Sequence, residues 1–178
     1  MTGKVLVGYA TRAGSTREIA EAVAAALRES GLEVELQPLR KVRTVEGYRA
    51  VVLGAPLYIG HWHKDAQRFL SRHREALAGR PVAVFTVGPT LPEKDKWGGV
   101  RAQLAQELAR YPGLTPVASE LFGGKYDPAG LRLLDRVLAS LPGSPLHQMP
   151  ASDARDWTAI RAWASQLAAQ LQPALRKT

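Results

Sequence analysis

Apolar positions along the chain alternate between short unbroken runs and helix-spaced repeats. Residues 5–9 (Val5, Leu6, Val7, Gly8, Tyr9) form an unbroken run that predicts a buried strand. After a short loop, Ile19, Ala20, Val23, Ala24 and Leu27 recur at helical spacing to about Ser30, where Gly31 stops the pattern. Ser15-Thr16-Arg17-Glu18 has the form of a capping box, with Ser15 as N-cap and Glu18 reaching back. Residues 32–36 alternate apolar and charged, as a strand with one exposed face does, and Pro38 ends them. A short helix or turn fits 39–48.

The rhythm then repeats. Residues 48–55 predict a second fully apolar strand, followed by an aromatic- and histidine-rich loop (56–63) and a helix from Lys64 to about Leu77, closed by Gly79. A third buried strand, 81–87, runs into Gly88-Pro89-Thr90 and a polar stretch to Gly99. A helix from about Val100 to Arg110 and a strand over 115–122 follow, ending at Gly123-Gly124. Leu131, Leu134, Val137 and Leu138 predict a short helix bounded by Gly130 and Pro142-Gly143. A final helix starts near Asp153 and carries Trp157, Ile160, Trp163, Leu167 and Leu171. The two tryptophans at helical spacing are read as core, and Tyr126-Asp127 as a turn before Pro128. Buried strands alternating with amphipathic helices specify an α/β fold, a parallel sheet covered on both faces. Five such units give the strand order 2-1-3-4-5, with the ligand at the carboxyl ends of strands one and three.

Composition adds limits. At 178 residues the chain is expected to form one domain, with an insert around 125–148. The absence of cysteine excludes disulfides, thiol catalysis and cysteine-ligated metal. No apolar signal segment or membrane-length stretch stands out, so a cytoplasmic protein is expected. The net charge of +8 admits nucleic acid, an anionic membrane surface or an acidic ligand. No basic run is dense enough for a nucleic-acid arm, so no nucleic-acid partner is expected. The oligomeric state is left open.

Three loops converge on the predicted site. In the first, Thr11, Arg12, Ala13, Gly14, Ser15 and Thr16 join a buried strand to a helix N-terminus, where free backbone N–H groups and the helix dipole suit a phosphate. Neither the G-x-G-x-x-G nor the lysine-containing phosphate loop is present, and the loop is sized for a monophosphate. The second, Pro56, Leu57, Tyr58, Ile59, Gly60, His61 and Trp62, offers Tyr58 or Trp62 to stack on a planar heterocycle. In the third, Thr86, Val87, Gly88 and Pro89 present backbone groups to a ring edge. Phosphate at one end and stacking at the other describe flavin mononucleotide (FMN). His61 and His63 lack a third ligand at metal spacing, so no metal is expected, and they are assigned to hydrogen bonds around the flavin or to solvent. No Ser-His-Asp or paired-carboxylate constellation is visible, and no catalytic side chain is assigned.

The segment Thr11-Arg12-Ala13-Gly14-Ser15-Thr16-Arg17-Glu18-Ile19-Ala20 resembles the phosphate loop of flavodoxin-fold proteins, and the resemblance extends over nearly the whole chain. It is closer to one branch, the bacterial quinone-dependent protoporphyrinogen oxidases of haem synthesis. Residues 55–69 with Gly60-His61-Trp62-His63, Pro92-Glu93-Lys94, Tyr126 with Asp135-Arg136, and Asp156-Trp157 are similar to that branch. Arg12 and Ala13 depart from the Thr-Gly framing of many electron-shuttle flavodoxins. The resemblance implies a flavodoxin-like three-layer sandwich, bound FMN, six-electron oxidation of a porphyrinogen and a quinone acceptor. By position, Thr11, Arg12, Gly14, Ser15 and Thr16 would hold the phosphate. The positive charge of His61, His63, Lys64, Lys94 and Lys96 around the flavin would favour its reduced anion and so an electron-accepting role. These groups would also suit porphyrinogen propionates or an anionic membrane surface, and a peripheral contact with the inner face of the cell membrane is left open. A flavodoxin-like electron carrier with a protein partner and a flavin-free regulatory module are the alternatives.

Overall fold

The computed structural model describes residues 3–90, 94–131, 133–144 and 150–176. Pro92 and Glu93, and the side chains of Lys94 and Lys96, lie outside the described residues.

β1 (Lys4–Tyr9), β2 (Val34–Pro38), β3 (Tyr48–Tyr58), β5 (Val82–Val87) and β6 (Ala118–Phe122) form a parallel sheet in the order β2-β1-β3-β5-β6. The short β4 (His61–Trp62) pairs antiparallel with the end of β3. Leaving out β4, this is the expected 2-1-3-4-5 order. Alternate residues of each strand serve opposite faces. Val5, Val7, Val52 and Phe85 pack under α1 (Ser15–Glu29) and α6 (Trp157–Arg176), whose Ile19, Val23, Leu27, Ile160, Leu167 and Leu171 are buried. Leu6, Val51, Leu53 and Val84 pack under α2 (Lys64–Arg72), α3 (Arg74–Ala78) and α4 (Gly98–Ala109). Because both faces are covered, the central strands read as continuous apolar runs. Gly54 permits the tightest central contact, since a Cβ there would stand 2.0 Å from Cζ of the buried Phe85 ring.

Several local expectations change. β3 does not end at Ala55: it continues to Tyr58 and returns through a two-residue turn into β4, so 56–62 is a hairpin. Ile59 and Gly60 both have positive φ, 49° and 78°, as a type I′ turn requires. A β-branched residue rarely takes that conformation, so Ile59 hid the turn. The helix expected over 64–77 is split at His73, which ends α2 and opens α3. Two short strands, β7 (Lys125–Tyr126) and β8 (Ser152–Asp153), pair antiparallel, which two-residue elements do not signal in sequence.

The capping box does not form. Gly14, in a left-handed conformation (φ 93°), is the N-cap of α1 and supplies no side-chain cap. Glu18 instead pairs with Arg155, which also chelates Asp153 and so pins the β7–β8 strand pair to α1. Trp163 lies in the core as expected. Trp157 does not: it stays partly exposed with the Arg155 guanidinium over its ring, 4.8 Å from the centroid.

Candidate functional site

The strand–loop–helix at β1 and α1 forms the first part of the candidate site. Ala10 N–H donates to the Gly54 carbonyl (2.8 Å), seating the loop at the carboxyl end of β3. Gly14 N–H donates to Thr11 Oγ1 (2.9 Å), and Glu18 N–H to the Gly14 carbonyl (3.1 Å). The N–H groups of Ser15, Thr16 and Arg17 therefore precede the first intrahelical bond of α1 and receive no side-chain cap. No atom lies within 4 Å of a Cβ built on Gly14, so the concavity is open. These features fit a phosphate group. Ala13 is exposed at the loop tip, whereas Thr16 is buried. Ser15 Oγ accepts from Lys125 N–H (3.2 Å), tying the loop to β7. Replacing Gly14 by valine is expected to cost about 1–2 kcal/mol of stability through its positive φ, measured by denaturant unfolding, and to weaken FMN binding in titration.

Arg12 is engaged by a carboxylate distant in sequence. Its guanidinium pairs with Asp135 on α5 (Leu133–Ser140), with Nε 3.3 Å from Oδ2. Tyr58, 42% exposed, lies beside this pair: burial raises its phenol pKa, Arg12 opposes the shift and Asp135 adds to it. α5 otherwise turns outward, with Leu133 and Leu134 77% and 78% exposed and Val137 and Leu138 more than half exposed.

The second loop therefore divides. Tyr58 and Ile59 (97% exposed) stand at its tip and Leu57 is half-buried, while Pro56 is buried. Trp62 is 1% exposed: its indole N–H donates to Thr86 Oγ1 (3.0 Å) and its ring stacks on Tyr111. It has no free face to offer a heterocycle, which corrects one of the two stacking candidates. His61 turns toward α4, with Nδ1 3.1 Å from Glu107 Oε2 and 2.7 Å from the Arg110 guanidinium. His63 caps α2 by accepting from Asp65 N–H (3.2 Å). Both histidines thus stand next to carboxylates, and His61 also meets the Arg110 guanidinium. The third loop is also partly committed. Thr86 and Val87 are buried, Gly88 N–H donates to the Phe122 carbonyl and the Pro89 carbonyl accepts from Gly124 N–H.

The structure thus brings together Thr11, Arg12, Gly14, Ser15 and Tyr58, and withdraws Trp62, Thr86 and Val87 into the core. Asp135, Lys125 and Glu107 were missed as parts of this region. Their partners lie 123, 110 and 45–46 residues away, a separation no local pattern reports.

A doubly wound parallel sheet with an anion-receptive helix N-terminus at the end of its first strand defines a flavodoxin-like protein. A model of the flavodoxin domain matches residues 6–142, and the chain belongs to that family. Among solved structures, a flavodoxin from the domain Archaea superposes with a TM-score of 0.56 at 16% identity, covering 94% of this chain and 98% of that one. Oxidised flavodoxin 2 from Bacillus cereus gives 0.56 at 20% identity, covering 97% of both chains. Family membership and fold imply FMN as the cofactor. Protoporphyrinogen IX dehydrogenase [quinone] of Escherichia coli (strain K12) is 33% identical over 95 residues, 52% of this chain and 52% of that protein. The protein of the same name from Leishmania major is 24% identical over 173 residues, 93% of this chain and 75% of its own length. The matching stretch thus spans about half the length of the Escherichia coli relative.

Proposed function

We propose that the chain is an FMN-dependent oxidoreductase that oxidises a protoporphyrinogen-type substrate with a quinone as acceptor. The observation that carries this reading is the insert helix α5. It is tied to the phosphate loop through Asp135 and Arg12 and leaves leucine and valine side chains exposed. An apolar surface joined to a flavin loop suits a hydrophobic tetrapyrrole or a quinone better than the polar docking face of a small soluble carrier. The names of the Escherichia coli and Leishmania major relatives support the same substrate class.

In this reading the first-turn N–H groups of α1, with the Thr11 and Ser15 hydroxyls, hold the phosphate. Tyr58 lies against the ring system. The Arg12–Asp135 pair fixes α5, and Asp135 compensates part of the guanidinium charge. Bound FMN supplies the electron-accepting chemistry, and the chain supplies position and charge. Among the described residues no helix is long and apolar enough to cross a membrane.

Three measurements test this. Purified protein is expected to show, or to gain with added FMN, the yellow flavin absorption. Anaerobic consumption of protoporphyrinogen with menadione as acceptor is expected above the blank. A flavin-loaded protein with no such rate is instead an electron carrier, and one that takes up no FMN rejects both readings. Tyr58→Ala is expected to weaken FMN binding by about 1–3 kcal/mol, the range for stacking a heterocycle on an aromatic side chain. Unchanged affinity in fluorescence titration would remove Tyr58 from the site.

A further inference from the structure

On the α2 face of the molecule, the segment 39–43 runs along α2 and leaves a cleft of about 590 Å³. Arg40, Lys64, Arg68 and Arg72 line it, and a contiguous hollow that shares Arg40, Arg72 and His73 adds Lys41 and Arg43. The sole carboxylate on the lining is Asp65, which stands 3.8 Å from His63 Nδ1. Among the described residues no ion pair joins any of these six cations to a carboxylate. Cations gathered around one cleft with a single carboxylate among them repel one another, and a bound anion relieves that repulsion.

The second observation is His73. It lines both hollows and is 8% exposed, and its Nε2 is buried without any partner. A buried polar atom left unpaired is costly, and native structures rarely tolerate one without a reason. In the neutral tautomer protonated at Nδ1, Nε2 carries a lone pair and needs a donor. Burial first, then the charges of Arg72 and Arg80, hold this imidazole below its ordinary pKa and so neutral at pH 7. A terminal phosphate is both an anion and, with a second ionisation near neutrality, an O–H donor. Sulfate and carboxylates carry no O–H at that pH.

We propose that the cleft between residues 39–43 and α2 binds a terminal phosphate, such as a phosphate monoester or a pyrophosphate. Arg40, Arg68 and Arg72 hold its charged oxygens, and on binding the His73 ring turns its Nε2, shielded in this structure, to accept from the protonated one. This inference does not rest on the flavin reading, because the cleft shares no residue with the phosphate loop.

The test uses the full chain with FMN in excess, which keeps the phosphate loop occupied, and inorganic pyrophosphate as probe at pH 7 and constant ionic strength. Saturable binding at one site is expected, with displacement of the His73 ring signals in NMR and at least tenfold weaker affinity for sulfate. Arg40→Glu with Arg72→Glu, both on the cleft wall, is expected to lower pyrophosphate affinity at least tenfold while circular dichroism is unchanged. Should that pair fail to fold, Arg68→Glu is expected to give the same direction of change. Phosphatidylcholine vesicles with and without phosphatidic acid identify the source. Sedimentation with phosphatidic acid that pyrophosphate reverses marks a lipid headgroup, and its absence a free phosphate. Unmoved His73 signals, equal affinity for sulfate, or full affinity in the arginine variants would overturn the proposal.

Discussion

Replacing Trp62 by alanine is expected to lower folding stability by about 3–5 kcal/mol, the range for deleting a buried aromatic side chain. The ring fills the core between β3, β5 and α4, stacks on Tyr111 at 5.9 Å between centroids, and satisfies Thr86 Oγ1. Truncation leaves a cavity and an unpaired buried hydroxyl together. Thermal or urea unfolding followed by far-ultraviolet circular dichroism measures the loss. Trp62→Phe keeps most of the volume and removes the indole N–H, so about 1–2 kcal/mol is expected. The same variant separates structure from ligand binding. If Trp62 is core, Trp62→Phe leaves FMN affinity within twofold of the parent, whereas Tyr58→Ala does not. A large loss of affinity in Trp62→Phe with little loss of stability would return this residue to the flavin site.

The second large effect is expected at Glu107, a fully buried carboxylate on α4. Its Oε1 accepts from the backbone N–H of Trp62 (3.2 Å), and its Oε2 lies 3.1 Å from His61 Nδ1 and 3.5 Å from the Arg110 guanidinium. One side chain therefore fastens the β3–β4 hairpin to α4 and sets where Tyr58 and Ile59 stand. Glu107→Ala leaves the buried Trp62 N–H without an acceptor and the Arg110 guanidinium without its carboxylate. A loss of about 3 kcal/mol is expected, and a weaker hold on FMN with it. Glu107→Gln keeps the shape and a carbonyl acceptor for Trp62 N–H, so about 1 kcal/mol is expected. Equal losses in both variants would mean that charge, rather than the hydrogen bond to the hairpin, fixes Glu107.

Much of the fold was legible because its signals are local. Runs such as Val51-Val52-Leu53 and helical spacings such as Ile19, Val23 and Leu27 are written within a few residues of one another, and they carry element type and order. The parallel order follows from that alternation by connection rules alone. Boundaries fared less well where one residue broke its own preference. Ile59 in a left-handed turn concealed the hairpin, and the break at His73 divides a continuous helical pattern. Ser15 and Glu18 matched a capping box in spacing, but Lys125 and Arg155 compete for those same side chains.

For the candidate site, the sequence by itself determined the strand–loop–helix, because an apolar run and a helical spacing need only neighbouring residues, but it put the N-cap at Ser15 where the structure has the left-handed Gly14. Tertiary structure decided which side chains reach that loop. Tyr58 and Trp62 look equivalent along the chain, yet β pairing sends side chains four residues apart to different surroundings, and the buried Glu107 and Thr86 capture Trp62. Asp135 reaches Arg12, and Arg40 comes to line one cleft with Arg72, only once the sheet has brought distant segments together. Burial and charge at such meetings depend on distances in space, which spacing along the chain does not carry.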